Sequence, residues 1–358
     1  MKEEINNLQL SSILFLLLFS GCFGILPYVV IQRVGTDGFI SSIIGSLIGL
    51  VPLFILLYIF NYDIDNPIYV KTKIIFGKVM GSIINYLLVL TYLVIAVTIL
   101  FNISNFIISQ YLTNTPLILV TLVFGAVILH TIRKGIYTIS KISFIYVIII
   151  ISLFILGVIL LSSDIKVDNI KPILEFGINS PFITSIMYTL LFTSPMYSIL
   201  VIPKNSIENS NNSNKYLVIT YLLVAFMICF IIFISSAALG KYLIKIYQYP
   251  VYITLKKISI FGFIDRIENF LSVQFILSSF ISLTMPIFYI KSSIKRDNNL
   301  FISFITTLVI VITSTFIFKS NTNFNNYLSN IYPYILIIPT FIYFVIFISI
   351  FIKKMYKK

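Results

Sequence analysis

One apolar run near the start of this chain, residues 8–31, is long enough to cross a membrane but is interrupted in its middle. Two glycines and a proline stand where a spanning helix should be regular: Gly21, Gly24 and Pro27. A second apolar run, residues 181–203, has a similar interruption at Thr193-Ser194-Pro195. Two broken spans that each open one half of a chain are typical of transporter-type folds with a ligand site near the bilayer midplane.

Composition places the chain in a membrane. Of its 358 residues, 59% are hydrophobic and 10% are charged, whereas about 25% are charged in ordinary soluble domains. The apolar runs are continuous, unlike the alternating strands of a barrel. The sequence therefore predicts an all-α integral membrane protein with about ten spans, at residues 8–31, 38–60, 79–108, 115–131, 140–161, 181–203, 216–239, 266–290, 299–318 and 332–352. No polar stretch is long enough for a soluble domain. A single transmembrane domain, 1–358, is expected, with half repeats at about 8–161 and 181–352.

The net charge of +13 is attributed to topology, and no nucleic-acid partner is expected. With ten spans and a cytoplasmic N-terminus, most of the 25 Lys and Arg residues fall on the cytoplasmic side, as the positive-inside rule requires. Both termini are then cytoplasmic. The exception is the long connection after span 7, which carries Lys241, Lys245, Lys256 and Lys257.

The first span also has an alternative interpretation. Ser20-Gly21-Cys22 loosely matches a bacterial lipoprotein cleavage site, which would remove this span. The residues before it include Glu3 and Glu4 against a single Lys2, which is the wrong balance for the positive region of a signal peptide. We therefore expect an uncleaved first span.

The two breaks have a physical use in ligand binding. Glycines let a helix unwind, and the freed backbone groups can bind the ends of an amino acid, whose carboxylate is favoured by the positive end of a half-helix. The alternative is that Gly21 and Gly24 only permit close helix packing. Pro195 removes a backbone donor, and the hydroxyls of Thr193 and Ser194 either stabilise the kink or face the ligand. The corresponding positions of the two breaks favour a midplane site.

Signals for an enzyme or a metal centre are absent from the sequence. It has no Walker loop, no GxSxG, no HExxH and no paired carboxylates in a pocket. One His and two cysteines inside spans, Cys22 and Cys229, do not make a metal site or a disulfide framework. No Asp or Glu lies in the middle of a predicted span, which disfavours a proton-driven pump, although sodium coupling through unwound carbonyls stays open. We expect no enzymatic activity, no metal and no cofactor.

Several segments resemble the B subunit of bacterial spore germination receptors, within the amino acid–polyamine–organocation (APC) transporter superfamily. The most specific segment begins at Tyr249-Pro250, continues through Leu255-Lys256-Lys257-Ile258-Ser259 and ends at Phe263-Ile264-Asp265-Arg266-Ile267-Glu268. Supporting segments are Asn114-Thr115-Pro116, Arg133-Lys134-Gly135 and residues 170–177. The resemblance extends from about residue 8 to residue 352. It implies a LeuT/APC-like fold, a five-plus-five inverted repeat in which spans 1 and 6 are broken.

The resemblance also implies a function and a set of site residues. It implies a sensor in the spore inner membrane that binds a small nutrient, often an amino acid, and acts with a receptor A subunit and a lipoprotein C subunit. The expected ligand contacts are Ser20, Gly21, Phe23 and Gly24 in the first break and Phe192, Thr193 and Ser194 in the second. Tyr92 and Ala96 on span 3 and Ser278 and Ser279 on span 8 are the expected remaining walls. Pro27 and Pro195 are the expected structural helix breaks.

One departure from the family pattern concerns the ligand. Many relatives carry an acidic residue in the middle of span 6, whereas this chain reads Thr193-Ser194-Pro195-Met196. The identity of the ligand is therefore not transferred. The alternative function is an amino-acid permease that carries its ligand across the membrane, and a scaffold with a vestigial pocket is a third hypothesis. Neighbouring genes for the A and C subunits would favour the sensor, and a solitary gene would favour the permease.

Overall fold

The computed structural model describes residues 4–161, 167–175, 177–256, 266–294, 299–318 and 320–356. Helix makes up nearly all of this part, and the β-pairing within it is one isolated bridge between Ile5 and Ile207. The all-α prediction is confirmed.

Helices lie at each predicted span position, and we keep the predicted numbers for them. Their bounds are Asn7–Phe19 and Leu26–Val34 (span 1), Gly38–Ile48 and Leu50–Phe60 (span 2), Lys78–Gln110 (span 3), Leu117–Lys134 (span 4), Ile136–Leu161 (span 5), Asn179–Thr193 (span 6, continued by a 3₁₀ helix at Ser194–Val201), Ser213–Ile246 (span 7), Glu268–Ser293 (span 8), Asn299–Ile317 (span 9), and Tyr332–Ile335 with Ile337–Met355 (span 10). Shorter α-helices lie at Ile68–Phe76, Pro250–Lys256 and Asn321–Asn330, and short 3₁₀ turns lie at Gly35–Asp37, Val167–Ile170, Lys204–Ser206 and Ser210–Asn212.

The membrane-spanning character of these helices follows from their length and composition. In the described ranges, eight helices are long and apolar enough to cross a membrane, or nine if the bent pair Phe301–Ile317 and Asn321–Asn330 is one span. Residues 26–60 form one nearly continuous helical run, and the first half of span 1 is too short to cross a membrane alone. The membrane-protein class is confirmed, whereas the number of ten spans stays a prediction.

Span 1 lies in the centre of the helix packing. Its first half contacts spans 5, 7 and 8 and is buried from Leu10 to Phe19. Span 2 packs on the first half of span 6, span 3 on span 8, and span 4 on span 9. These are the pairings that a five-plus-five repeat produces, because the contact of span 1 with span 7 corresponds to that of span 6 with span 2. The residue bounds of the two half repeats stay a prediction.

The chain before span 1 is tied to the connection that follows span 6. Ile5 donates its N–H to the carbonyl of Ser206 (3.0 Å) and accepts from the N–H of Glu208 (2.9 Å). Asn6 then caps the start of span 1, since its side chain accepts from the N–H of Gln9 at 2.8 Å. The start of span 1 and the end of span 6 are thus held in one local structure.

The short helix Ile68–Phe76 carries a buried cation. Lys71 is only 2% exposed, and its Nζ donates to the carbonyls of Ile59 (3.0 Å) and Phe60 (3.4 Å). These carbonyls lie in the last turn of span 2, where backbone acceptors have no partner within the helix. Burial lowers the pKa of Lys71 to about 8. Lys71 therefore caps span 2 and attaches the short helix to it.

Candidate functional site

Span 1 unwinds between its two halves, as predicted. A 3₁₀ turn at Ser20–Cys22 follows the first half, and Phe23 is extended, with φ −110° and ψ 109°. Gly24 has a φ of +74°, in the left-handed region that favours glycine. Pro27 lies in the first turn of the second half, where its missing N–H costs no helix hydrogen bond. Pro27 therefore begins a helix, and residues 20–25 make the break.

Ser20 and Gly21 are closely surrounded within this break. The Ser20 hydroxyl is buried and donates to the carbonyl of Leu17 at 3.2 Å. A Cβ added at Gly21 would come within 3.0 Å of the Leu26 side chain. Gly21 thus permits close packing of the two halves, and Gly24 supplies the backbone conformation.

Asn102 of span 3 holds the unwound backbone. Its Nδ2 donates to the carbonyl of Phe23 at 2.8 Å. The side chain is 1% exposed, and its Oδ1 has no hydrogen-bond partner among the described residues. This oxygen lies 2.7 Å from the position that a Cβ on Gly24 would occupy. A buried acceptor without a partner is costly, so this oxygen is a ready contact for a ligand that carries an N–H or O–H donor.

Tyr249 covers the same glycine. Its ring atom Cε1 lies 2.5 Å from the Gly24 Cβ position. Its hydroxyl accepts from Asn105 Nδ2 (3.0 Å) and donates to the main-chain carbonyl of Asn102 (3.3 Å). Burial raises the pKa of the Tyr249 phenol well above its ordinary value, so the hydroxyl stays protonated and keeps donating. Tyr249 directly precedes helix Pro250–Lys256, which we call the covering helix.

Five aromatic rings close the space beside Gly24. Ring centroids lie 5.0 Å apart for Phe106 and Tyr249, 5.3 Å for Phe106 and Tyr252, and 5.1 Å for Phe23 and Phe275. They leave about 240 Å³ of empty space, part of it continuous with solvent. The structure is thus a closed form in which a ligand at Gly24 requires these rings to move.

The second break is a change of helix type. The α-helix of span 6 ends at Thr193, and Ser194–Val201 continue as a 3₁₀ helix with Pro195 in its first turn. The Thr193 hydroxyl donates to the carbonyl of Thr189 (2.7 Å), and that of Ser194 donates to the carbonyl of Leu190 (2.5 Å). In the closed form these two hydroxyls therefore bond to the backbone of span 6 and stabilise its kink.

Phe192 and Thr193 contact spans 2 and 7. The Phe192 ring lies between Tyr188 and Tyr221, with centroid distances of 5.5 and 5.3 Å. The Thr193 methyl group lies 3.2 Å from the Cβ position of Gly49 on span 2. Their contacts are therefore with spans 2 and 7 rather than with Asn102 or Tyr249.

Tyr92 on span 3 belongs to a buried cluster of tyrosines. Its hydroxyl shares a 2.8 Å hydrogen bond with that of Tyr343 on span 10, and its ring lies 4.4 Å from that of Tyr289 on span 8. Tyr197, in the 3₁₀ part of span 6, stacks on Tyr343 at 4.1 Å. Ala96 lies one turn after Tyr92 and is fully buried. The cluster joins spans 3, 6, 8 and 10, and the sequence analysis predicted only Tyr92 from it.

The predicted serines of span 8 are both buried. Ser278 donates to the carbonyl of Gln274 at 2.7 Å, whereas the Ser279 hydroxyl has no hydrogen-bond partner in the described part of the chain. One turn further on, Ser282 donates to the carbonyl of Leu16 on span 1 at 2.9 Å. Span 8 thus lies against the first half of span 1, with the Ser279 hydroxyl unpaired among the described residues.

Sequence reasoning did not identify Asn102 or Ser282, and it assigned Tyr249 no role in the site. Asn102 had a detectable signal, since it is an amide within the long apolar run of span 3, where polar groups are expensive. The segment that begins at Tyr249 was singled out only for its resemblance. Residues 257–265 of that segment lie outside the described residues.

The groups at the break in span 1 are polar but uncharged. No group of three or more His, Cys, Asp or Glu side chains suited to a metal ion occurs within the described residues. The groups at the break are carbonyls, amides and hydroxyls, enclosed by aromatic rings. Such a set can recognise a ligand through hydrogen bonds and ring contacts.

Comparisons with known proteins agree with this architecture. The solved structure of Mhp1, a nucleobase-cation-symport-1 family transporter in a closed conformation with bromovinylhydantoin bound, matches with a TM-score of 0.63 at 15% identity, over 91% of this chain and 75% of that chain. This similarity confirms the transporter-type fold. Spore germination protein KB of Bacillus subtilis (strain 168) is 23% identical over 348 residues, which cover 90% of this chain and 88% of the relative.

A family model described as spore germination protein matches residues 4–327. Together with the fold, this match indicates a membrane receptor or a permease-like protein rather than an enzyme. The chain belongs to the spore germination protein family.

Proposed function

We propose that this chain is the nutrient-sensing membrane subunit of a spore germination receptor and that its ligand is a small molecule of the amino-acid type. The observation that carries the proposal is the buried Asn102 Oδ1, which has no partner among the described residues and lies beside the unwound Phe23–Gly24 backbone. Buried polar groups in folded proteins are nearly always paired. A ligand with a hydrogen-bond donor supplies the missing partner.

The proposed ligand site uses both ends of an amino acid. The ligand's ammonium group donates to Asn102 Oδ1, and its carboxylate faces the N-terminal end of the second half of span 1, where the helix dipole is positive. Ser20, Gly21, Phe23, Gly24 and Ser279 supply the walls. We expect Ser194, Tyr92, Ala96 and Ser278 to complete the site in the open form, whereas Phe192 and Thr193 act through the packing of spans 2 and 7.

Signalling follows from the difference between closed and open forms. A ligand that binds at Gly24 requires the rings of the cover to move, so it favours the open arrangement by its differential affinity. That shift in population is passed to the A subunit and the lipoprotein C subunit. The proposed location is the spore inner membrane, with both termini in the cytoplasm.

A spore experiment tests this function. A strain without the gene is complemented with the wild type, with Asn102→Leu, with Ser194→Ala or with the control Ser152→Ala, whose hydroxyl lies on the exposed side of span 5. Dipicolinate release is measured across a panel of amino acids and sugars, with a receptor-independent trigger as a control. We expect wild type and Ser152→Ala to restore one nutrient response and Asn102→Leu to lose it at normal protein level. An unchanged dose–response curve for both Asn102→Leu and Ser194→Ala would contradict the proposed site.

A permease is the second candidate, and the fold of Mhp1, a transporter, favours it. In that case the ligand crosses the membrane as one helix bundle rocks against the other. Uptake of the nutrient by purified protein in liposomes separates the two functions. Saturable uptake that Asn102→Leu abolishes identifies a permease, whereas binding without uptake supports the sensor.

A further inference from the structure

A charged cleft lies at the end of span 1, away from the helix break. It is formed where the second half of span 1 meets the end of span 7 and the connection before span 6, and its charged lining residues are Arg33, Asp37, Glu175, Lys241 and Lys245. It holds about 540 Å³ of empty space, part of it continuous with solvent. The covering helix contacts this half of span 1 as well, so the cleft lies at the same end of the molecule as Tyr249.

Two of the cations, Arg33 and Lys245, lie beside Gly35 in this cleft. Gly35 takes a φ of +62° directly after span 1, and the Lys245 side chain passes 3.0 Å from the position of a Cβ on Gly35. Gln32 fixes the main chain of Lys245 through a 2.5 Å hydrogen bond from its Nε2 to the Lys245 carbonyl. Arg33 and Lys245, more than 200 residues apart in sequence, thus line the same cleft.

The two carboxylates of the cleft are each engaged through one oxygen. Asp37 is 8% exposed, and its Oδ1 accepts from the main-chain N–H of Leu174 at 3.0 Å. Glu175 accepts from the ammonium of Lys241 through Oε2. Each carboxylate keeps a second oxygen with which it can accept a further hydrogen bond.

The other two cations, Arg33 and Lys245, form no ion pair with a described carboxylate. Within the described ranges the ion pairs are Lys171 with Asp168 and Lys241 with Glu175, so neither Arg33 nor Lys245 takes part in one. Arg33 donates from Nη2 to the carbonyl of Ser329 at 2.6 Å, and its Nε is buried without a partner among the described residues. The cleft therefore offers guanidinium and ammonium donors for an anionic group.

We infer that this cleft binds a small zwitterion, a molecule that carries a carboxylate and an ammonium group, at a second site separate from Gly24. The carboxylate is bound by Arg33 and Lys245, and the ammonium group by the second oxygens of Asp37 and Glu175. A simple anion would bring its charge next to these two carboxylates, and a simple cation next to Arg33 and Lys245. A small molecule that carries both a negative and a positive charge can pair with the cations and with the carboxylates of the cleft at once.

Protection of a cysteine placed in the cleft tests this inference. Ser180 is exposed and lines the cleft, so the rate at which a thiol reagent labels Ser180→Cys is measured by peptide mass spectrometry on the full-length purified protein. The probes are glycine, acetate, methylammonium and inorganic phosphate at equal ionic strength. We expect glycine to slow the labelling. Acetate, methylammonium and phosphate, which each carry charge of one sign only, should have a much smaller effect.

Substitutions then assign the effect to the cleft. Arg33→Gln and the exposed Lys245→Gln are each expected to raise the glycine concentration for half-protection about tenfold, since each removes one charge-assisted contact. Lys78→Gln, an exposed lysine at the start of span 3, should leave protection unchanged. Asn102→Leu should also leave it unchanged, which separates this site from the break in span 1. If Arg33→Gln fails to fold, Lys245→Gln carries the test.

Three results would overturn the inference. The first is labelling that glycine does not slow. The second is equal protection by acetate or phosphate, which would make the cleft a general anion site. The third is glycine protection that neither Arg33→Gln nor Lys245→Gln weakens.

Discussion

The ring of Tyr249 lies so close to Gly24 that a Cβ on this glycine would come within 2.5 Å of ring atom Cε1. The two residues are far apart in sequence, yet together they close the break in span 1. Asn102 connects them, because its side chain binds the Phe23 carbonyl and its main-chain carbonyl accepts from the Tyr249 hydroxyl. The unwound backbone and its aromatic cover thus form one unit.

Gly24→Ala is expected to destabilise the protein by about 1–3 kcal/mol. A side chain in the left-handed conformation costs roughly 1–2 kcal/mol, and the new methyl group also displaces the Tyr249 ring. Gly157→Ala is the matched control, because a Cβ there meets no atom within 4 Å in span 5 and should gain about 0.5–1 kcal/mol of helix stability. Thermal unfolding in detergent measures both variants. Equal melting temperatures for Gly24→Ala and wild type would contradict the role assigned to this glycine.

Tyr249→Ala is expected to expose Cys22, which is fully buried in the break. Removing the ring opens the cover, so a thiol reagent should label Cys22 faster than in wild type. Tyr249→Phe keeps the ring and should label at nearly the wild-type rate. Tyr242→Ala, an 82% exposed tyrosine, is the control. If labelling of Cys22 does not accelerate in Tyr249→Ala, Tyr249 is not the cover.

Tyr92 and Tyr343 are expected to be energetically coupled through their shared hydrogen bond of 2.8 Å. Tyr92→Phe and Tyr343→Phe should each cost about 1 kcal/mol, because each leaves one buried hydroxyl without its partner. The double variant should cost less than the sum by roughly 0.5–1 kcal/mol. The double-mutant cycle is completed by the melting temperatures of the wild type, the two single variants and the double variant. The exposed Tyr86→Phe is the control. Strict additivity would show that the hydroxyls do not interact.

Lys71 is expected to make stability rise with pH between about 8 and 10.5. Its pKa is lowered from 10.5 to about 8 in the folded protein, so the folded state releases this proton first and the unfolded state binds more protons in this range. Below pH 8 both states are protonated, and the full cost of the buried ammonium is present. The gain amounts to about 3 kcal/mol.

The test compares wild type with Lys71→Met at pH 7 to 9.5. The difference in melting temperature between the two should move in favour of wild type as the pH increases. Lys73→Met, an exposed lysine on the same short helix, should show the same pH profile as wild type. A parallel profile for Lys71→Met would mean that Lys71 keeps its charge throughout.

Much of the fold was predictable because it depends on local physics. Continuous apolar runs specify membrane helices by their length, and the predicted span positions agree with the observed helices within a few residues in most cases. Glycine and proline act on the backbone where they stand, so the breaks at Gly24 and at Ser194-Pro195 were predicted at the right places. Pro27 was expected to be a helix break, whereas in the structure it lies in the first turn of the second half of span 1.

The contacts within the site were decided by tertiary structure. The sequence by itself determined that this chain is a helical membrane protein with two interrupted spans, because length, apolarity and backbone freedom are properties of single segments. It did not determine which side of each helix faces the break, because spans that are apolar all round carry no amphipathic pattern from which rotation can be read. Only the packing of spans 1, 3 and 8 under the covering helix brought Asn102 to Phe23 and Tyr249 to Gly24, and turned Phe192 and Thr193 towards spans 2 and 7.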